Sequence, residues 1–155
     1  MHVLLMEAGG QRCGVPVADV IEIVRAARTA PLPGAPAAIE GLLDVRGDVV
    51  PVLDVRTRLG LPERPMLPSD HLVLVRARER VVALRVDEVC DLVHLDASAL
   101  DVMPNVVARG ASVAGAAHLP DGLALIHDPA RFLSQVEESV LDAALAEAAC
   151  GPGGP

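Results

Sequence analysis

The sequence predicts a mainly β protein made of two similar small β-barrels, with short helices and one longer helix near the C-terminal end. Three observations predict it. Four pairs of short apolar runs are each joined by turn residues, the pattern of β-hairpins. Two of these hairpin units repeat the same internal spacing. The chain is also 52% hydrophobic with Phe132 as its single aromatic residue, so the core is Val, Leu, Ile and Ala. At 155 residues the chain is one domain or two small intertwined ones, long enough to bury roughly 70% of its unfolded surface.

The elements follow in order. Residues 3–8 and 11–15 flank Gly9-Gly10, a first hairpin. Val17, Val20, Ile21 and Val24 have helical spacing but β-branched content, which predicts one or two helical turns running into a strand near Glu22. Pro31, Pro33, Gly34 and Pro36 make a rigid extended connector. Residues 41–45 and 49–53 form a second hairpin around Arg46-Gly47-Asp48, after which Asp54 caps a short helix over 55–59 that Gly60 stops. Pro62, Pro65 and Pro68 mark a loop. Residues 71–76 and 81–86 are a third hairpin, 89–95 a further strand, and 96–112 a loop with a short turn. Residues 113–118 and 123–127 form a fourth hairpin, and Asp128-Pro129 starts a helix with an acid at the N-cap and proline at the first position.

Ser134-Gln135-Val136-Glu137 has the form of a capping box. The helix it opens, over 135–149, carries an apolar stripe of Val136, Val140, Leu141, Ala144, Leu145 and Ala148, with Glu137, Glu138, Asp142 and Glu147 on other faces. That stripe predicts docking on the barrels, with Gly151 as the stop and a disordered Gly-Pro tail. The organisation read from the chain is therefore residues 1–134 as two barrel subdomains, 135–150 as a helical extension and 151–155 as tail.

The echo that suggests two barrels is specific. Gly41 precedes Asp54 by 13 positions, and Gly115 precedes Asp128 by the same 13. A leucine, Leu59 or Leu133, falls five residues after each aspartate. Each unit reads as a hairpin whose second strand ends in an Asp-capped helix.

Composition excludes whole classes of function. All 13 basic residues are arginine. Without lysine there is no P-loop NTPase, no Schiff-base enzyme and no protein-kinase catalytic domain. With Phe132 as the single aromatic side chain there is no stacking platform for single-stranded nucleic acid. The net charge of −8 is unevenly spread: residues 1–86 hold 11 arginines against 10 acids, residues 87–155 hold 2 against 11. The split argues against DNA binding and permits a protein partner on each side. Cys13, Cys90 and Cys150 form no CxxC pair. There is no signal-peptide pattern and no apolar run of the roughly 18 residues a membrane span needs, so the chain reads as cytoplasmic.

Several segments, in this order and spacing, resemble the CheW-like family, the coupling proteins of bacterial chemotaxis. They are Pro16 to Val24, Pro33-Gly34-Ala35-Pro36, and above all Gly41 to Arg56 with its strand–Arg46-Gly47–strand signature. Val86-Asp87-Glu88-Val89 and Gly122 to Asp128 with Phe132-Leu133 complete the likeness, which covers about residues 2–134. The resemblance implies two five-stranded SH3-like barrels packed together. It implies no catalytic activity and no cofactor. It implies an adaptor that couples a CheA-type histidine kinase, through its regulatory domain, to the cytoplasmic tip of methyl-accepting chemoreceptors, with the receptor tip in an apolar groove between the barrels.

By position in the family pattern, Val20 and Glu22 lie beside the receptor site, Arg46 is the arginine of the RG signature, and Gly41 is a glycine near the kinase-facing barrel. With Asp44 and Val45 they make the expected receptor or kinase interface. An arginine suits such a place, because its fork bonds a carboxylate or carbonyls bidentately. Asp44 departs from the asparagine common two positions before that arginine; it pairs with Arg46 or alters a partner contact. A bulge requirement explains Gly41 equally well.

Two other readings stand beside the adaptor. One keeps the fold and moves it to a non-flagellar chemosensory pathway such as type IV pilus control. The absence of lysine argues against a phospho-receiver fused within this chain. The other is a metal-dependent enzyme using His2, His71, His94, His118 and His127 with Cys13 and Cys90. No HxH, HxxxH or CxxC spacing supports it, and His127 and Asp128 point to opposite faces if both lie in a strand. The reading from sequence is that the protein has no metal and is not an enzyme.

Overall fold

A computed structural model of the chain describes residues 1–102 and 113–150. In chain order the strands are β1 (His2–Ala8), β2 (Gln11–Pro16), β3 (Val20–Arg25), β4 (Ile39–Val45) and β5 (Asp48–Asp54), followed by helix α1 (Val55–Arg58). Then come β6 (His71–Ala77), β7 (Arg80–Val86), β8 (Glu88–His94), β9 (Leu100–Val102), β10 (Val113–Leu119), β11 (Gly122–His127) and helix α2 (Gln135–Cys150). Single 3₁₀ turns span Val17–Asp19, Ala97–Ala99 and Pro129–Arg131. All four expected hairpins are present, and the helical turn before Glu22 is the 3₁₀ turn that delivers the chain into β3. Gly151 and the tail, with most of the 96–112 loop, lie outside the described residues.

The strands form two sheets. One has the order β3-β6-β7-β5-β4, the other β8-β1-β2-β11-β10-β9. The second has six strands rather than five, because the short β9 adds to β10. Its counterpart beside β4 in the first sheet is only an isolated bridge between Ala30 and Leu42. The intertwining is an exchange of hairpins. Hairpin β6–β7 is inserted between β3 and β5, while hairpin β1–β2 is inserted between β8 and β11. In each sheet the inserted hairpin meets its host through one parallel contact, β5 with β7 and β11 with β2.

The bulges repeat with the strands. Ile21 in β3 and Cys90 in β8 are the extra residues where those strands pair with the inserted hairpins. Glu40 in β4 and Ala114 in β10 are the extra residues of the echoed hairpins. The echoed glycines have one physical cause. A Cβ on Gly41 would meet the Ala30 carbonyl oxygen at 2.7 Å, and one on Gly115 would meet the Asp101 carbonyl oxygen at 2.6 Å. Each lets a neighbouring backbone cross at close range. The echoed aspartates cap as expected: Asp54 accepts from the Arg56 amide and Asp128 from the Ala130 amide, each at 3.0 Å.

Three apolar clusters follow from this layout. Leu43, Val50, Val52, Leu72, Leu74 and Ala83 fill the first sheet, and both of its edge strands pack there through Val24 and Val45. Val3, Leu5, Leu95, Ala117, Ala124 and Ile126 fill the second, again with both edges represented by Val93 and Leu100. A sheet whose two edges share one core is curled on itself, so each is a small barrel. A third cluster, including Met6, Val15, Leu53, Val73, Leu84 and Phe132, joins the barrels.

Helix α2 docks with only part of its expected stripe. Its capping box forms in both directions: the Ser134 amide donates to Glu137 Oε1 at 2.9 Å and the Glu137 amide to Ser134 Oγ at 3.1 Å. Leu141 and Ala144 are buried in the shared core. Val136, however, is 73% exposed and Val140 is also exposed, while Glu137 and Glu138 turn inward. The reason is the surface beneath. Arg58 pairs with Glu137, Arg78 with Glu138 at 2.9 Å, and Arg80 with Asp142. Burial alone would push the Glu137 carboxyl up, but Arg58 and the Ser134 amide hold it below the usual carboxylate range. The charge split between the two parts of the chain is thus in part an intramolecular match.

Candidate functional site

The expected interface residues sit at the two edges of the first barrel. Arg46 and Gly47 are the two-residue turn of hairpin β4–β5, both in the left-handed region with φ of 51° and 90°. That is a type I′ turn, which matches strand twist but suits a glycine better than an arginine. Asp44 does not pair with Arg46. Its Oδ1 accepts from the Gly47 amide at 2.8 Å and holds the turn. Arg46 instead reaches across the barrel mouth to Glu22 on β3. Its Nη1 donates to Glu22 Oε1 at 3.2 Å and its Nη2 to Oε2, a bidentate pair. The pairing lowers the Glu22 carboxyl below its ordinary value and raises the Arg46 guanidinium above its own.

Beside this pair lies a surface groove of about 500 Å³, bordered by Ile21, Glu22, Val45, Arg46, Val49 and Leu145 among others. Ile21 is 45% exposed and Val49 is 60% exposed, large aliphatic side chains held in solvent at its rim. Ile21 shares the outer face of β3 with the likewise exposed Ile23. Val45 is half-buried in the groove wall and packs on the barrel core. Val20 lies behind it, packed on the cluster that joins the barrels. Gly41 is buried beneath the crossing connector, so the structure brings Glu22, Val45 and Arg46 together and leaves Gly41 as a backbone requirement. The sequence placed Ile21 and Val49 only within secondary-structure elements and Leu145 only in the docking stripe of the last helix, and assigned none of them to the interface. Ile21 and Val49 each stand between one polar and one apolar neighbour, so alternation did not mark them as exposed, and the stripe marked Leu145 for docking but not for a groove.

A second constellation was also missed. Arg85 is buried and pairs with Glu40 at 2.8 Å, Asp54 at 2.8 Å and Asp70 at 3.3 Å. The bulge at Glu40 delivers that carboxylate. Arg64 bridges Asp70 and Asp87, each at 2.6 Å, and Arg56 meets Asp87 at 2.8 Å. Asp87 also accepts from the Gly9 amide at 2.8 Å, so it ties the first hairpin of one barrel to the arginines of the other. Burial opposes ionisation of Asp70 and Asp87, but these arginines and amides outweigh it and lower both. A polar cavity of about 540 Å³ opens beside Glu40, Glu63, Arg64 and Arg85.

The histidines do not assemble. His2 meets His94 in a tilted arrangement with centroids 4.8 Å apart, His118 pairs with Asp101 at 2.6 Å, and His127 is buried and stacked on Phe132. Burial lowers His127 to about 4. Burial likewise pushes the Cys13 thiol up to about 12, and Cys90 is raised as well. Among the described residues, Glu7, Glu88 and Cys90 place their ligand atoms within 4.8 Å of one another on the β1–β8 surface. No described helix is long and apolar enough to cross a membrane.

Comparison with known proteins agrees with the geometry. The family model for the CheW-like domain matches residues 2–137. The chain is 27% identical over 110 residues to chemotaxis protein CheW of Bacillus subtilis (strain 168), covering 71% of this chain and 70% of that protein. It is 31% identical over 103 residues to chemotaxis protein CheW of Rhizobium meliloti (strain 1021), covering 66% and 65%. Among solved structures, the scaffolding protein TtCheW from Thermoanaerobacter tengcongensis superposes with a TM-score of 0.75 at 24% identity, over 82% of this chain and 88% of that one. That likeness carries the fold.

Proposed function

Because the chain belongs to the CheW-like domain family, we propose that it is a non-catalytic adaptor. It couples the regulatory domain of a CheA-type histidine kinase to the cytoplasmic tip of methyl-accepting chemoreceptors. Its mechanism is binding without chemistry: a rigid pair of barrels presents separate faces and holds two partners in fixed geometry. The observation that carries this reading is the Glu22–Arg46 pair at the rim of an exposed aliphatic groove. Such a rim-and-floor surface, apolar at its centre and charged at its edge, is the anatomy of a protein interface. Each contact is small and individually weak, and many copies held in an array supply the avidity.

Glu22, Val45 and Arg46 form the contact surface in this reading, Asp44 shapes the turn that presents Arg46, and Val20 and Gly41 support the strands from behind. The test is co-purification with a kinase regulatory domain and a chemoreceptor tip fragment from the same genome. Arg46→Glu abolishes capture of one of them while the thermal melt stays in place. Unchanged capture removes Arg46 as a contact, and capture of neither fragment by the unaltered protein removes the coupling role.

A further inference from the structure

Resting on the reading of the groove as a docking face, we propose that α2 is a wall of that groove, and that the groove takes a protein segment with an aliphatic ridge and basic flanks. Leu145, about one turn beyond the buried Leu141 of α2, lines the same groove as Ile21, Val45 and Val49. The helix is fastened at this place from three sides. Leu141 and Ala144 are buried in the shared core, the capping box fixes the first turn, and Arg58, Arg78 and Arg80 each hold a carboxylate of the helix. Arg80 is itself a groove residue, so its pair with Asp142 ties the groove rim directly to α2.

The charge of the rim selects the occupant. Its acids are Glu22, Asp48 and Glu79, and its arginines are Arg46 and Arg80. Arg46 is matched by Glu22, and Arg80 by Asp142 from the helix. Asp48 and Glu79 make no ion pair among the described residues, so two carboxylates remain facing the entrance. The floor and walls are aliphatic, with Val50, Leu74 and Val81 beneath the exposed side chains and no aromatic ring. An apolar ridge fills such a trough and basic flanks meet the unmatched carboxylates.

Isothermal titration with the chemoreceptor tip hairpin and with the kinase regulatory domain, at low and high salt, tests this with the unaltered protein and five variants. Leu145→Ser weakens one titration about tenfold, beyond the modest drop in melting temperature that follows from its packing on the shared core. The double variant Asp48→Arg with Glu79→Arg weakens the same titration about tenfold, and high salt weakens the unaltered protein in step. Arg80→Asp weakens it too, and adding Asp142→Arg restores it, which keeps the wall testable should Leu145→Ser prove unstable. Glu22→Arg serves as the control on the docking face. Full binding by both Leu145→Ser and Arg80→Asp, with Glu22→Arg still defective, overturns the role of α2 and leaves the docking face standing. Tighter binding by the arginine double variant overturns the basic occupant. Full binding by Glu22→Arg overturns the docking face itself.

Discussion

Arg46 and Glu22 join the two edge strands of the first barrel, β4 and β3, across three intervening strands of the same sheet. Three features of the pair argue that it does not serve stability. It is solvent-exposed at the arginine, where an ion pair contributes little. Arg46 occupies a left-handed position that a side chain with a Cβ resists. The barrel core beneath holds both strands without it. An arginine where glycine fits better accords with the contact role proposed for this pair.

One expectation follows at once. Arg46→Gly relieves the left-handed strain while Gly47 and Asp44 still make the turn, so the melting temperature holds or rises slightly. Binding of the partner falls in the same variant. A calorimetric melt alongside a titration separates the two effects, and a large drop in melting temperature contradicts this account of the turn.

Gly41→Ala behaves in the opposite way. The added methyl meets the Ala30 carbonyl oxygen and the Thr29 side chain, and the flanking pair of hydrogen bonds between Ala30 and Leu42 resists any shift. The loss shows in urea unfolding as a destabilisation of about 1–3 kcal/mol. Binding by the folded fraction stays intact if Gly41 acts only through the backbone.

Arg85→Met leaves Glu40, Asp54 and Asp70 without their shared cation. Removing one member of a buried ionic cluster costs about 3–5 kcal/mol. Denaturant unfolding reads that loss directly. A loss below about 1 kcal/mol indicates that the carboxylates find other partners, Arg64 first among them.

His127 makes stability depend on mild acid. Above pH 6.5 the ring is neutral in both folded and unfolded chains and contributes no pH dependence. Below that, the unfolded chain takes up a proton that the buried ring refuses until about pH 4, so stability falls as pH falls between the two values. The full effect is about 3 kcal/mol, from a pKa of about 4 against 6.5. His127→Leu flattens the melt between pH 6.5 and 4 and leaves the separate acid loss that comes as the lowered carboxyls of Asp70, Asp87 and Glu137 protonate. A slope that persists in His127→Leu assigns the dependence to another group.

The hairpins, caps and echoed glycines were legible because each depends on residues close in sequence. Gly-Gly, Arg-Gly and Asp-Pro carry their own backbone preferences, and the 13-residue spacing from Gly41 or Gly115 to the capping aspartate reports a bulge and a crossing backbone in both barrels. The exchange of hairpins left no local mark, since β2 reads the same whether its partner is β3 or β11. The facing of α2 misled for a similar reason. Apolar periodicity assigned Val136 and Val140 to the inside, but Arg58, Arg78 and Arg80, some 60 to 80 residues away, drew Glu137, Glu138 and Asp142 toward themselves and turned the helix. In the site, Arg46 and Glu22 were each legible, whereas their pairing needed the barrel to bring its edges together.

The most direct measurement is a charge swap at the mouth of the barrel, titrated against the kinase regulatory domain and the chemoreceptor tip hairpin. Glu22→Arg and Arg46→Glu each weaken one titration at least tenfold, with melting temperatures unchanged. In the double variant the ion pair re-forms in reverse, so the barrel keeps its melt, but the charges now face the partner the wrong way round and binding stays weak. Full affinity in both single variants, or full recovery in the double variant, contradicts the account, because the pair then serves only to close the barrel.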